Sequence, residues 1–309
     1  MEKIAIVGGT GFVGAALTRK LIDSGKDVVV FTRNAAAAKS SLSLPPDREG
    51  KLEIVTYQPL EMGSWQDKIS GCDAVINLAG EPIAEKRWTA SQKQAILDSR
   101  QLGTQRIVEA IAKAEVKPRV LVNASAIGFY GTSETAKFDE ESVAGKDFLA
   151  SVCQAWEAEA KKVEALGVRL VIARLGIVLA ADGGALGKML APFKMFVGGP
   201  IGSGRQWLSW VHRDDVVAIL MAAIDRPDWQ GVYNITAPQP ARMNDFSQSI
   251  ATALNRPAWL PVPGIALETL LGEGAIVVLQ GQQVLPNRLL ASDYQFTHPT
   301  LSQALKAIV

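Results

Sequence analysis

The sequence predicts an α/β chain: a doubly wound parallel sheet with helices on both faces, followed by a smaller C-terminal α+β substrate domain. Three observations carry this. The chain opens on an apolar, β-branched run, Ile4 to Val7, which meets Gly8-Gly9-Thr10-Gly11-Phe12-Val13-Gly14 and then a helical pattern. From there to about residue 180, short apolar runs alternate with helix-length segments, the β-α-β-α rhythm of a parallel sheet. Beyond that point the rhythm stops, and glycine-rich links and short proline-bounded segments take over. Residues 1–180 are read as a nucleotide-binding domain, with a strand returning near 231–236, and 181–309 as the smaller substrate-binding and C-terminal domain.

The glycine turn is the strongest local signal. In a strand–turn–helix opening, one glycine allows the sharp turn and a second lets backbone approach a pyrophosphate. A third lets the helix pack closely on the strand. The helix then aims its free N–H groups and positive dipole end at the phosphates. Gly8, Gly11 and Gly14 have GxxGxxG spacing. Their place between a first strand and a helix marks a Rossmann-type dinucleotide site. Gly8, Thr10, Gly11, Phe12, Val13 and Gly14 are its candidate cofactor-binding residues.

Ala15, Leu17, Leu21 and Ile22 recur at helical spacing until Gly25 stops the helix. Asp27 to Phe31 is the second strand, and Thr32-Arg33-Asn34 holds the place where NAD-preferring sites put a carboxylate for the ribose 2′-hydroxyl. Arg33 either grips a 2′-phosphate or is a solvated loop residue, and the missing carboxylate favours NADP over NAD. Residues 34–50 read as loose connection and Glu53 to Tyr57 as the third strand. Asp73 to Gly80 is a fourth strand ending in a small-residue turn, which sets Leu78, Ala79 and Gly80 beyond its carboxyl end, where ligands of such sheets lie. In the long helix from Ser91 to about Lys113, Arg100 either lends a cation to the phosphates or is an ordinary surface arginine. Arg119 to Asn123 is the fifth strand. Ser125 just beyond it either bonds a substrate carbonyl or caps a loop. A helix from about Asp147 to Leu166 and a sixth strand, Val168 to Ala173, complete the alternation.

Past residue 180, a helix is expected over Gly187 to Phe196 and one strand over Gln206 to Val211. His212-Arg213-Asp214-Asp215 opens a helix through Ile224, with both aspartates as helix N-terminal acids and His212 structural. No repeat, metal-ligand cluster or basic patch is visible.

Composition narrows the class. At 309 residues, 48% hydrophobic and 20% charged, the chain can fill a sizeable core, and a net charge of +1 gives no field to recruit nucleic acid or an acidic membrane. Two cysteines, Cys72 and Cys153, cannot build a disulfide framework. The chain begins on a core strand and has no apolar run of the ~18 residues a membrane helix needs. A cytoplasmic protein with a small-molecule substrate is expected.

Several segments together carry a family likeness: GGTGFVG, INLAGEPI (76–83), KRW (86–88), Ser99-Arg100, SAIGFYG, RLGIVL (174–179), GGPIGSGRQWLSWVHRDD, NITAPQP (234–240) and GEGAIVVLQGQQVLP. On these the chain resembles the atypical, extended short-chain dehydrogenase/reductases of the epimerase family, relatives of NAD-dependent epimerases and dehydratases, over nearly its full length. The resemblance implies an NADP-binding Rossmann domain and a small C-terminal substrate domain. It also implies cofactor contacts at Thr32, Arg33, Leu78, Ala79, Arg100 and Ile177.

One departure stands out. Short-chain dehydrogenases pair a catalytic tyrosine with a lysine four residues later, on one helix face, so that the ammonium favours the phenolate. Here the residues four after the tyrosines are Glu61, Glu134, Ala237 and His298, and no Tyr-x-x-x-Lys exists. In the matching helix Cys153 and Glu157 take the two places. Ser125 is then the first candidate catalytic residue and Tyr130 the second. Two functions stay open: an NADP-dependent oxidoreductase or epimerase with a non-standard proton relay, or an NADP-binding regulator that kept the pocket and lost the chemistry. Retention of Ser125 and the glycine-rich substrate region favour the enzyme.

Overall fold

A computed structural model describes residues 2–42 and 50–309. Its central sheet is seven parallel strands: β1 (Lys3–Val7), β2 (Asp27–Thr32), β3 (Leu52–Thr56), β4 (Ala74–Asn77), β5 (Val120–Ala126), β6 (Arg169–Leu175) and β7 (Gly231–Ile235). Their spatial order is β7-β6-β5-β4-β1-β2-β3. The strand order reverses between β1 and β4, which opens a crevice at their carboxyl ends. The helices are α1 (Gly14–Asp23), α2 (Ala35–Ser41), α3 (Ala90–Lys113), α4 (Phe148–Lys161), α5 (Gly184–Lys194), α6 (Arg213–Asp225), α7 (Met243–Leu254) and α8 (Gly264–Leu271), with shorter turns of helix beyond.

Alternation along the strands divides the core into two layers. Ile4 and Ile6 face Leu17 and Leu21 of α1 and Val216 and Leu220 of α6. Ala5 and Val7 point the other way, toward Ile107 and Ile111 of α3. A period of two in the strands and a stripe on each helix are enough to place these layers. A third core joins α5, α7 and the last helix (Leu301–Ile308) through Leu190, Phe193, Phe246 and Leu305. Among the described residues no helix is long and apolar enough to cross a membrane.

Three local expectations need correction. Residues 34–50 are not simply loose: the Asn34 side chain accepts from Ala37 N at 3.0 Å and starts α2, while 43–49 lie outside the described residues. Gln206 to Val211 is not one strand. Trp207–Leu208 pairs antiparallel with Ala241–Arg242, whereas Trp210–His212 pairs parallel with Ile177–Leu179. Ser209 holds the changeover, its hydroxyl donating to Gln282 O and accepting from Val284 N, both at 2.8 Å. Asp215 is more than a helix acid. It is fully buried and accepts from Thr297 N at 2.7 Å and His298 N at 3.0 Å, which pins the C-terminal tail to α6. The α6 cap is instead His212, whose Nδ1 accepts from Asp214 N at 3.1 Å.

Candidate functional site

The crevice beside β1 is a cleft of about 530 Å³. Gly8, Thr10 and Gly11 line it from the loop after β1, Thr32 and Arg33 from the end of β2, and Leu78, Ala79 and Gly80 from the end of β4. The glycines differ in what they do. Gly8 has φ +82°, and a Cβ there would sit 2.9 Å from the Leu78 carbonyl carbon, so two loops touch at this point. A Cβ on Gly14 would lie 2.1 Å from Gly8 O, which is why α1 can pack against the turn only through glycine. Gly11 is exposed, and its nearest neighbour would be 3.3 Å away. It is the glycine that leaves room for a ligand.

Phe12 and Val13 do not line the cleft. The Phe12 ring packs against Gly183 and Gly184, with the Arg213 guanidinium 5.0 Å from its centroid. The share of Phe12 and Val13 is backbone: they lead into the first turn of α1, where N–H groups lack intrahelical acceptors. Arg33 stands exposed at the rim, and no acidic residue ends β2. Glycine backbone, a helix N-terminus and an arginine at the β2 end fit a dinucleotide bearing a 2′-phosphate.

A second cavity, of about 570 Å³, adjoins the cleft where Gly80 meets Arg100. A Cβ on Gly80 would lie 2.9 Å from Arg100 Cζ. Arg100 is not an ordinary surface residue. Its Nη1 donates to Glu81 O at 3.0 Å and Ile96 O at 3.2 Å, and its guanidinium lies 5.2 Å from the Trp156 ring centroid. Burial works against its charge and lowers its pKa below the ordinary arginine value. Arg100 and Ile177 line this second cavity rather than the cleft, together with Ala126, Gly128 and Cys153 near the end of β5.

Behind that wall runs a buried polar chain. Ser125 Oγ donates to Glu157 Oε1 at 2.7 Å, and Arg174 grips the same carboxylate through Nε and Nη2, each at 2.8 Å. Arg174 Nη1 donates to Tyr130 OH at 2.9 Å, and that hydroxyl donates to Asn234 Oδ1 at 2.7 Å. All five residues are almost fully buried. Such a set is stable only because every member is bonded to another. The structure therefore brings Ser125 and Tyr130 together through Arg174 but puts neither hydroxyl on the cavity wall. Tyr130 is packed between Phe129 and Phe138, and burial pushes its hydroxyl up to about 12. The wall group is Cys153, which lies against Ser125 and contacts Ala126 O at 3.7 Å. Burial first, and then the Glu157 charge, push its thiol up to about 11.

Arg174 was the residue that sequence reasoning passed over. An arginine in a run otherwise as apolar as VIARLGIV needs a buried acid, and the acid one face away in the preceding helix was the available signal. A cluster of side chains of metal-ligand type was also invisible in the sequence, because it joins two distant segments. His212, Asp214 and His298 have ligand atoms within 4.8 Å of one another, although His212 Nδ1 is engaged by the α6 cap.

Comparison with known proteins agrees with this architecture. A model of the NAD dependent epimerase/dehydratase family matches residues 4–236, and one described as a domain of unknown function (DUF1731) matches 262–308. The chain is 43% identical over 308 residues to the chloroplastic epimerase family protein SDR39U1 homolog of Arabidopsis thaliana, covering 99% of this chain and 86% of that one. It is 40% identical over 309 residues to the epimerase family protein YfhF of Bacillus subtilis, covering 99% and 97%. The crystal structure of human epimerase family protein SDR39U1 with NADPH superposes with a TM-score of 0.85 at 35% identity, covering 99% and 98%. A UDP-glucuronic acid 4-epimerase from Bacillus cereus shares the fold at TM-score 0.80 and 18% identity, over 99% and 97% of the two chains. With its reversed-order parallel sheet, glycine turn and C-terminal segment, the chain belongs to the NAD-dependent epimerase/dehydratase family, in the extended short-chain dehydrogenase/reductase branch of the SDR39U1-type proteins.

Proposed function

We propose that the protein binds NADP(H) in the crevice between β1 and β4 and uses it to oxidise or reduce a small molecule held in the second cavity. The observation that carries this reading is the contact of Gly80 with Arg100, which sets the cleft lined by the glycine turn beside a separate, largely apolar chamber. NADPH in the human relative and Arg33 at the end of β2 both support NADP over NAD. When bound, the nicotinamide supplies or accepts a hydride.

The protein's own part is to seat the reactants and to hold a proton. Cys153 keeps its Sγ proton at neutral pH, because its thiol is pushed up to about 11 by burial and then by Glu157. It is thus a donor on the wall rather than a nucleophile. Ser125 acts from behind it. Its hydroxyl lies against the thiol and holds Glu157, while Arg174 balances the carboxylate so that no bare charge faces the substrate. Tyr130 positions Arg174. The arrangement replaces a tyrosine–lysine relay with a thiol backed by a neutralised ion pair.

A second reading, a silent NADP-binding regulator, is favoured by one observation: Glu157, at the lysine's place, and Ser125 are bonded within the protein and not directed at a ligand. NADPH consumption against carbonyl compounds and nucleotide sugars separates the two. The enzyme reading expects turnover on some member of the panel, reduced about a hundredfold or more in Cys153→Ala and less in Ser125→Ala. Tight NADPH binding with no consumption on any of them would favour the regulator.

A further inference from the structure

We infer that the second cavity takes an uncharged, largely apolar carbonyl compound, such as a fused-ring ketone, and not a nucleotide sugar. The inference rests on the oxidoreductase reading for its carbonyl group, but its argument is the chemistry of the walls. Ile83, Trp88, Phe148, Leu149, Val152 and Ile177 supply hydrocarbon on several sides of the chamber. It continues into a wider cavity of about 920 Å³, shared through Ile83, Ile177, Trp207, Val277 and Gln280 and walled by Leu267 and Leu271 of α8. Together the two exceed what a drug-sized ligand needs.

The polar side chains on the chamber wall already have partners in the protein. Gln282 Nε2 donates to Ile127 O at 2.8 Å, and Ser209 is held by Gln282 O and Val284 N. Thr132 Oγ1 donates to Gln280 Oε1 at 2.7 Å, and Asp147 accepts from Ala150 N to cap α4. A nucleotide sugar carries a diphosphate, and a diphosphate needs cations or a row of N–H donors. Among the described residues lining the chamber there is one cation, Arg100, at the cofactor end. The same lining carries two carboxylates, Asp147 and Glu273, the latter paired with Lys93. In the wider cavity Arg87 donates to Thr269 O at 2.8 Å, and Lys188 is exposed. A dianion placed here would lose its hydration next to acids and hydrocarbon, whereas an apolar ring would lose nothing and displace water from Trp88 and Phe148.

The test is binding, read by fluorescence of the tryptophans that line the chamber, with and without NADP. The probes are 1-tetralone, a neutral fused-ring ketone, and UDP-glucuronic acid. Tetralone is expected to quench the signal, and excess UDP-glucuronic acid to leave its binding unchanged. Ile83→Asp sets a carboxylate in the shared wall from a loop position and should weaken tetralone at least tenfold. Val277→Ser, a milder change at a second position of the shared wall, should weaken it severalfold, and intact NADPH affinity in both variants shows that they are folded. Displacement of tetralone by UDP-glucuronic acid, or unchanged tetralone affinity in both folded variants, would overturn the inference. Tetralone binding without NADPH consumption would support the apolar chamber and count against the oxidoreductase reading. Consumption with a nucleotide sugar would do the reverse.

Discussion

Gly11 and Gly14 look equivalent in the sequence, and the structure separates them. A side chain at Gly14 would drive a Cβ to 2.1 Å from Gly8 O, so Gly14→Ala should cost stability whether or not a ligand is present. Gly11 is exposed and lines the cleft, and a Cβ there would meet only Gly8 O, at 3.3 Å, a contact the turn can relieve by a few tenths of an ångström. Gly11→Val is therefore expected to fold with a smaller loss of melting temperature than Gly14→Ala while losing dinucleotide binding, since its branches would occupy the phosphate path. Calorimetry with NADPH checks this; undiminished affinity would move the cofactor site elsewhere. Arg33 admits an equally sharp measurement. A charge-assisted bond to a 2′-phosphate contributes about 1.5–3 kcal/mol, so Arg33→Ala should weaken NADPH roughly tenfold or more. NADH, without that phosphate, should bind the variant as it binds the parent. Equal losses for both cofactors would make Arg33 a loop support. At this scale the sequence was readable wherever partners share one helix. The i,i+4 spacing puts Cys153 and Glu157 on the face toward Ser125, which is where they are found. Arg174 was not readable in the same way, because its partner lies in another element and only folding brings them within 2.8 Å.

Elements were legible where a period repeats and illegible where one residue does two jobs. The strands of the central sheet announce themselves by β-branched alternation, and β7 could be placed because Val232, Tyr233 and Ile235 follow a glycine turn after a full helix. Helix α2 was lost among the polar and proline-rich residues that follow it, although Asn34 before four alanines is a sound capping signal. Asp215 is the clearest case of a double role. In sequence it is a first-turn acid favoured by the dipole of α6; in the fold its two oxygens hold the N–H groups of Thr297 and His298. Removing it takes a charged acceptor from both donors, of which Thr297 is exposed and His298 half-buried. Asp215→Ala should lower unfolding stability by about 2–3 kcal/mol and expose the tail to proteolysis before global unfolding. A urea midpoint equal to the parent's would show that the tail is held by its apolar contacts alone, those of Tyr294, Phe296 and Leu305.

Across the whole molecule, topology followed from the alternation of elements, but the second cavity did not. Its walls come from the loop around Ile83, from α4, from Ile177, from Trp207 and from Val277, segments that no local pattern connects. The same long-range folding brings the chain's two histidines together, their rings tilted by 44° with centroids 3.9 Å apart. His212 is buried at the α6 cap, and burial first, then the charge of His298, lower its pKa below 6.5; Arg213 adds to this, and Asp214 and Asp215 oppose it. In the unfolded chain His212 takes up its proton near pH 6.5. As pH falls through that value the unfolded state gains a proton that the folded state resists, so stability declines with acidification. Above neutrality both states leave His212 unprotonated, and this contribution is flat. Thermal denaturation in the presence of a chelator should therefore show a falling melting temperature between pH 7.5 and 5.5, before the ordinary carboxylates titrate. His212→Asn keeps a capping oxygen for Asp214 N but removes the titration. Its melting temperature should fall less over the same interval, and identical slopes in parent and variant would show that the histidine pair has no part in the acid response.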